Sequence, residues 1–216
     1  MGRLEFTVLD MLVQASDLTP AARIRNSALE GFAEKGVAAT SIGDVAEAAG
    51  VSPGLVQHYF ETKAGLRQAV NAYVLAIAQE AFGELLGAGP VADSFQEAGD
   101  RITSVVRNHR TAVLYLARSV AEHDEAALDL FDGFVDIALT QLRHLAETRE
   151  VDPDIDFEWT ALHIVTNIIG TVLFESAVNR HLPEPLFTSN GLARWNRATT
   201  ELFQHGLATS AYQQED

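Results

Sequence analysis

Apolar residues recur along this chain at three- and four-residue intervals almost from end to end, and strict apolar–polar alternation is missing. The first spacing lines one face of an α-helix and the second would line one face of a strand, so the chain reads as all-α. Ile24, Ala28 and Phe32, with Ala21 and Leu29 beside them, form one face of a first helix. Thr19 can cap it, and Pro20 suits its first position because the N–H it lacks would have no partner there. Gly36 is expected to end it as a left-handed cap. A second helix follows Thr40-Ser41, where Ser41 and Asp44 have the spacing of a capping box. Ile42, Val45, Ala46 and Ala49 point inward, and Gly50 stops the helix. Ser52 and Pro53 open a third helix through Leu55, Val56 and Tyr59. After Phe60, Thr62 can cap a fourth helix.

The remaining pattern is longer and plainer. The fourth helix is expected to reach about Leu86, before a break at Gly87 to Pro90. Helices then follow over about 93–107, 110–122, 124–149, 154–181 and 191–209, punctuated by Pro153 and by Leu182-Pro183-Glu184-Pro185. The most apolar window, Trp159 to Phe174, is shorter than the roughly 18 residues of a membrane span and contains His163 and Asn167. It reads as a buried helix, and no membrane partner is expected.

Composition narrows the classes. A chain of 216 residues, 47% of them hydrophobic, can bury a sizeable core in one large domain or two small ones. There is no cysteine, which excludes a disulfide framework, a cysteine-based zinc site and a thiol nucleophile, and fits a cytoplasmic location. Residues 1–18 are interrupted by Glu5 and Asp10 and show no small-residue cleavage site, so they are expected to be an N-terminal arm or a short docking helix, with Met11 an alternative start.

Charge divides the chain unevenly. The formal net charge is -15, yet residues 1–70 hold six Lys/Arg against eight Asp/Glu. The acidity therefore lies in residues 71–216. The near-neutral N-terminal part carries the recognisable chemistry. Two helices of about eight residues joined by a turn at Gly50 make a helix-turn-helix, whose second helix would lie in a DNA major groove. Ser52 and the free N–H groups at the helix start favour a phosphate oxygen, and Gly54 lets the backbone approach closely. Gln57 can pair bidentately with adenine, His58 can donate or accept near bases or phosphates, and Leu55 can meet a thymine methyl. Tyr59 and Lys63 sit where the next turns would meet the phosphate backbone, and Thr40 and Ser41 offer hydroxyls.

The run from Ile24 to Ala69 resembles the DNA-binding domain of the tetracycline-repressor (TetR) family of bacterial transcription regulators. The resemblance rests on Phe32 before Lys35-Gly36, Ala39-Thr40-Ser41, Asp44-Val45-Ala46, Ala49-Gly50-Val51-Ser52, Gly54, His58-Tyr59-Phe60, Lys63 and Leu66. Outside this run the likeness is only that of an all-helical chain of the right length. It implies an N-terminal three-helix reading domain (19–70) and an all-helical ligand-sensing and dimerisation domain (71–216). It also implies a homodimer on a near-palindromic double-stranded operator, and repression relieved by a small-molecule effector. The family often has an aromatic residue where Gln57 stands, and a lysine or small polar residue where Pro53 and Leu55 stand, so base contacts there do not carry over. The alternative is a helical protein-interaction or small-molecule-binding protein that does not touch DNA.

Catalysis finds no footing. No GxSxG, P-loop or Gly-rich dinucleotide motif occurs, so no catalytic residue and no cofactor is expected. Glu122-His123-Asp124-Glu125 gathers potential metal ligands, but consecutive helical residues diverge, and Asp124 reads better as a helix cap.

In the C-terminal part the candidate effector contacts are polar or aromatic groups on apolar segments: His109, Tyr115, Phe131, Phe134, His163, Thr166 and Asn167. They would suit a hydrophobic or aromatic molecule. Ile168 and Thr171, near Gly170, together with the stripe Leu192, Trp195, Thr199, Leu202 and Phe203, are expected to meet a twofold mate.

Overall fold

A computed structural model describes residues 19–83, 91–122, 125–147, 151–152 and 154–207. The expected arm at 1–18, the Gly87–Pro90 break, the Asp124 cap and Pro153 lie outside the described residues. Among the described residues every regular element is helical. The chain divides into two compact units, one ending at Ala72 and the other beginning at Tyr73.

The first unit holds α1 (Pro20–Lys35), α2 (Ile42–Ala49), α3 (Pro53–Phe60) and the start of α4 (Lys63–Phe82). Its core joins Ile24, Ala28 and Phe32 of α1 to Val45, Ala46 and Ala49 of α2, Val56 of α3, and Leu66 and Val70 of α4. Side-chain caps fix the helix starts. The Thr19 hydroxyl accepts from the Ala22 N–H at 3.2 Å, Ser52 from Leu55 at 3.3 Å, and Thr62 from Gly65 at 3.0 Å. The capping box at α2 is complete: Ser41 accepts from the Asp44 N–H at 3.1 Å, and the Asp44 carboxylate accepts from the Ser41 N–H at 2.8 Å.

The C-terminal ends are more varied than the sequence suggests. Gly50 adopts the left-handed cap conformation (φ 64, ψ 40). Gly36 has positive φ but ψ 159, so it is not the expected left-handed cap. It sits in a region open essentially to glycine alone. Between α3 and α4 the chain turns in a single residue. Glu61 has φ 59 and ψ -56, and the Thr62 N–H donates to the Phe60 carbonyl at 2.6 Å. This is the rare, strained form of the γ-turn.

The second unit holds α5 (Val91–Asn108), α6 (Arg110–Ala121), α7 (Glu125–Glu147), α8 (Phe157–Leu173), the short α9 (Glu175–Val178) and α10 (Ser189–Leu207). Helix α5 packs along α10, while α8 packs against both α6 and α7. One core cluster gathers Val106, Val113, Val172, Leu186 and Leu192, and another Phe95, Leu145 and Val151. Asp156 caps α8 by accepting from the Trp159 N–H at 2.9 Å.

The single helix expected over 154–181 is broken after Leu173, and the segment from Glu175 to His181 bends away by 74°. Arg110 donates to Glu175 at 2.6 Å and stacks over the Phe187 ring at 4.3 Å. The Leu186 N–H donates to the Asn179 side chain at 2.8 Å. These long-range ties hold the bend, which is why helical periodicity alone runs through it. Among the described residues no single helix is long and apolar enough to cross a membrane.

Candidate functional site

The surface of α3 follows from its core. Val56 is buried, so the residues on the opposite side of this short helix face outward. Pro53, Gly54, Gln57 and His58 are exposed, with Ser52 at their N-terminal edge. A Cβ built on Gly54 would meet only the Ser52 hydroxyl oxygen, at 4.0 Å. Tyr59 is 44% exposed, its ring centroid 5.4 Å from His58 in an edge-on pair and 6.3 Å from the tilted ring of Phe60. Leu55 and Phe60 are half-buried. The exposed set combines free helix-start N–H groups, an amide, an imidazole and a phenol, all able to meet the phosphates and base edges of a polyanion.

Three expected contact residues have structural work of their own. Thr40 is 2% exposed, and its hydroxyl donates to the Gly36 carbonyl at 2.9 Å. Its methyl lies so close to Gly31 that a Cβ there would come within 2.8 Å, so the Thr40 side chain belongs to the α1–α2 packing, away from the surface. The Ser41 hydroxyl donates to the Asp44 carboxylate at 2.7 Å while accepting from its N–H. The Ser41 backbone and side-chain bonds together hold the Asp44 carboxyl below the ordinary aspartate range. The Lys63 ammonium donates to the Ala38 carbonyl at 3.2 Å, tying the start of α4 to the loop before α2.

The second unit holds a partly open cavity of about 160 Å³. Its walls come from Ala78 and Phe82 of α4, Phe95 and Ile102 of α5, Phe134 and Ile137 of α7, Ile164 and Ile168 of α8, and Thr199 and Phe203 of α10. No Asp, Glu, Lys, Arg or His is among its described lining residues. Among the described residues, polar side chains reach it from Gln141, Thr199 and Thr200. The Gln141 amide donates to the Phe82 carbonyl at 2.9 Å. The Thr200 hydroxyl donates to Asn196 at 3.1 Å, and Asn196 donates to Asp100 at 2.7 Å. Gly99 admits this chain of bonds, since a Cβ there would sit 2.2 Å from the Asn196 oxygen.

The expected effector contacts scatter. Phe134 lines the cavity. Tyr115 is fully buried in α6, and Phe131 is half-buried in α7. His109 precedes α6 and lines a separate, more open groove with Glu80 and Arg101. His163 and Thr166 are exposed on α8, and Asn167 is half-buried with its side-chain oxygen unpartnered.

The expected dimer residues divide as well. Ile168, Thr199 and Phe203 line the cavity, Leu192 is buried in the core, and Trp195 packs against that core. Thr171 is half-buried, its hydroxyl donating to the Asn167 carbonyl at 2.7 Å. Leu202 stays 64% exposed. A three-four stripe marks a helix face that is covered, but not what covers it.

Two features went unread in the sequence. One is Gln141, whose amide among aliphatic residues is a signal only once the helices are assembled. The other is an outward stripe on α8, where Trp159, His163, Thr166, Gly170 and Leu173 share one face. Trp159 is 61% exposed, and adjacent Phe174 62%. A Cβ on Gly170 would meet nothing within 4 Å. Among the described residues, no group of three His, Asp or Glu converges as a metal site would require.

Comparison with known proteins places these features. Residues 24–70 match the family described as bacterial regulatory proteins, tetR family. Over 144 residues the chain is 29% identical to the HTH-type transcriptional regulatory protein RaaS of Mycobacterium tuberculosis, a match spanning 67% of this chain and 65%, just under two thirds, of RaaS. The fold resembles that of GusR from Salmonella enterica, with a TM-score of 0.68 at 20% identity, over 88% of this chain and 96% of that one. It also resembles the fatty acid degradation regulator FadR from Bacillus halodurans, with a TM-score of 0.70 at 13% identity, over 87% and 96% of the two chains. The family match coincides with the helices that frame the exposed face of α3, and the likeness of fold extends through the helices around the cavity. The likeness to the tetR family of bacterial regulatory proteins thus rests on residues 24–70, the segment that frames α3.

Proposed function

We propose that this protein is a ligand-responsive transcription regulator, acting as a repressor, that binds a near-palindromic DNA operator as a homodimer and leaves it when a small apolar molecule occupies the cavity. The exposed N-terminal face of α3 carries this reading. It is the polar surface of a helix whose other side is locked by Val56 and whose start is capped by Ser52. Ser52, Pro53, Gly54, Leu55, Gln57, His58 and Tyr59 form the contact surface, with Gln57 and His58 nearest the base edges. Thr40, Ser41 and Lys63 serve chiefly by holding the helix-turn-helix in shape. Residues 19–70 form the reading domain and 71–216 the sensing and dimerising one, in the cytoplasm.

The mate is proposed to cover the outward stripe of α8 and the exposed Leu202 of α10. Trp159, Leu173, Phe174 and Leu202 are large apolar groups left in water, of the kind that mark association surfaces. The effector reading rests on a largely apolar cavity with no charged group among its described lining residues, an environment that admits hydrophobic molecules.

Binding to a selected operator tests the reading. Affinity should fall as salt rises, because the DNA releases counterions where cations of the reading domain, Lys63 at the start of α4 among them, meet its phosphates. Gln57→Ala should relax base preference at one position per half-site, at about 1–3 kcal/mol each. Equal affinity for every DNA sequence, or none, would sink the proposal.

A further inference from the structure

We infer that the α8 helices of two protomers meet antiparallel in one register, with Trp159 of each seated over Gly170 of the partner subunit and His163 against Thr166 of the partner subunit. The inference rests on the proposed placement of the mate on the outward stripe of α8, and adds to it which residue faces which.

The stripe carries its own complement. Trp159, His163, Thr166, Gly170 and Leu173 follow one another at alternating steps of four and three residues, so they form one line along the helix. Trp159 is the largest side chain on that line, 61% exposed, its ring centroid 5.7 Å from that of His163. Gly170 is the opposite feature, since a Cβ there would meet nothing within 4 Å. Leu173 and Phe174, 41% and 62% exposed, stand one turn further on. Bare backbone bordered by apolar side chains is a notch that suits a flat indole.

Twofold symmetry fixes the rest. In an isologous interface, if one residue meets a second, the second meets the first. Seating Trp159 over Gly170 puts the centre of the contact midway between Ile164 and Val165. His163 and Thr166 are centred on the same point, so one axis serves both pairs. Parallel helices would instead set each residue against its own copy. Gly170 would then face Gly170 of the partner subunit across a void, and a void forfeits contacts on both of its walls.

The middle pair is polar. The Thr166 hydroxyl donates to the Leu162 carbonyl at 2.6 Å, so its oxygen can still accept, and an imidazole N–H can donate to it. Sliding the helices would leave that pair unmade inside an apolar seam, which holds the register as a lone polar residue does in a coiled coil. Covering the exposed parts of Trp159, Leu173, Phe174 and Leu202 would remove on the order of 400 Å² per protomer, half of the roughly 800 Å² that each partner of a standard interface contributes.

Sedimentation equilibrium of the full-length chain reads the dimer. Trp159→Ala and Gly170→Trp should each raise its Kd at least about a hundredfold, because every loss counts twice in a symmetric pair. Combined in one chain, the two substitutions let knob and notch change places, and dimerisation should return to within about tenfold of the unsubstituted protein. Independent structural roles would give the two losses added together. Cysteines supply a second readout, since the chain has none of its own. Chains carrying Trp159→Cys and Gly170→Cys should form a disulfide when mixed and oxidised, and neither should do so alone. The two copies of either residue would lie about 16 Å apart along the helices, beyond the roughly 7 Å between Cα atoms that a disulfide spans.

A double variant no better than the single ones, or a disulfide in either cysteine variant alone, overturns the register and leaves α8 in the interface. Dimers untouched by all three Trp159 and Gly170 variants remove α8 from the interface. A chain that stays monomeric at every concentration removes the homodimer. In these last two cases the proposed interface falls, and the inference with it.

Discussion

Adding one methyl at Gly54 separates what the fold needs from what DNA needs. Gly54 is the second residue of α3, its φ is not in the left-handed region, and a Cβ there would come no closer than 4.0 Å to any neighbour beyond its own helix backbone. For the folded chain, Gly54→Ala is therefore free of strain. It removes unfolded-state freedom, which stabilises a protein by about 0.4–1 kcal/mol where the native backbone is compatible. For a domain of this size that is a rise in Tm of roughly 1–4 °C. On the DNA side the sign reverses. If the backbone at Gly54 packs against a phosphate or a base edge, the methyl fills space the duplex must occupy, at about 1–3 kcal/mol, as overpacking costs elsewhere. That is about a five- to 150-fold loss of operator affinity. Thermal unfolding and fluorescence anisotropy on one preparation measure both. A raised Tm with unchanged affinity would refute the placement of DNA against the start of α3. A lowered Tm would refute the claim that the position is open in the free protein.

Other positions give sharp contrasts. Gly65→Ala would gain about 1 kcal/mol from helix propensity, but its Cβ would lie 2.4 Å from the Phe60 carbonyl oxygen, a backbone atom that cannot swing aside. Net destabilisation in urea is expected, and stabilisation would contradict the tight α3–α4 corner. At that corner Glu61→Gly should stabilise the protein, since the strain of a non-glycine residue at such angles, roughly 1–3 kcal/mol, outweighs the entropy glycine adds. Gly170→Arg meets open space in the free chain, so it should leave secondary structure intact while light scattering reports monomers; a persisting dimer would remove α8 from the interface. The Asp44 carboxyl, held low by Ser41, contributes to α2 fully above the ordinary aspartate pKa and loses that contribution as pH falls through its own lower value. Its NMR titration midpoint should therefore rise in Ser41→Ala, and an unmoved midpoint would contradict the capping-box origin.

Local chemistry was the legible part. Thr19, Ser52 and Thr62 cap where their types and spacing predict, and Ser41 with Asp44 closes a box although Asp stands where Glu or Gln is usual. These bonds span three residues, so a single sequence contains all of their causes. Thr40 shows where such reading stops. Its hydroxyl suggested a surface contact, but Gly31 leaves room for its methyl, and the Gly36 carbonyl takes its proton. The α10 stripe shows the same limit at longer range. Periodicity placed Leu192, Thr199 and Phe203 on a covered face, but α5 and the cavity lie against that face, and Leu202 is the large apolar residue left outside. The cavity itself is a gap among α4, α5, α6, α7, α8 and α10, a property of how they meet and of no one segment.

Selection of bound DNA from a random pool, at two salt concentrations, tests most directly whether α3 is a sequence reader. The expected product is a near-palindrome whose half-sites are about one helical turn apart or a multiple of it, with affinity falling as salt rises. A pool that stays random after repeated rounds would contradict the assignment of α3 as a sequence reader.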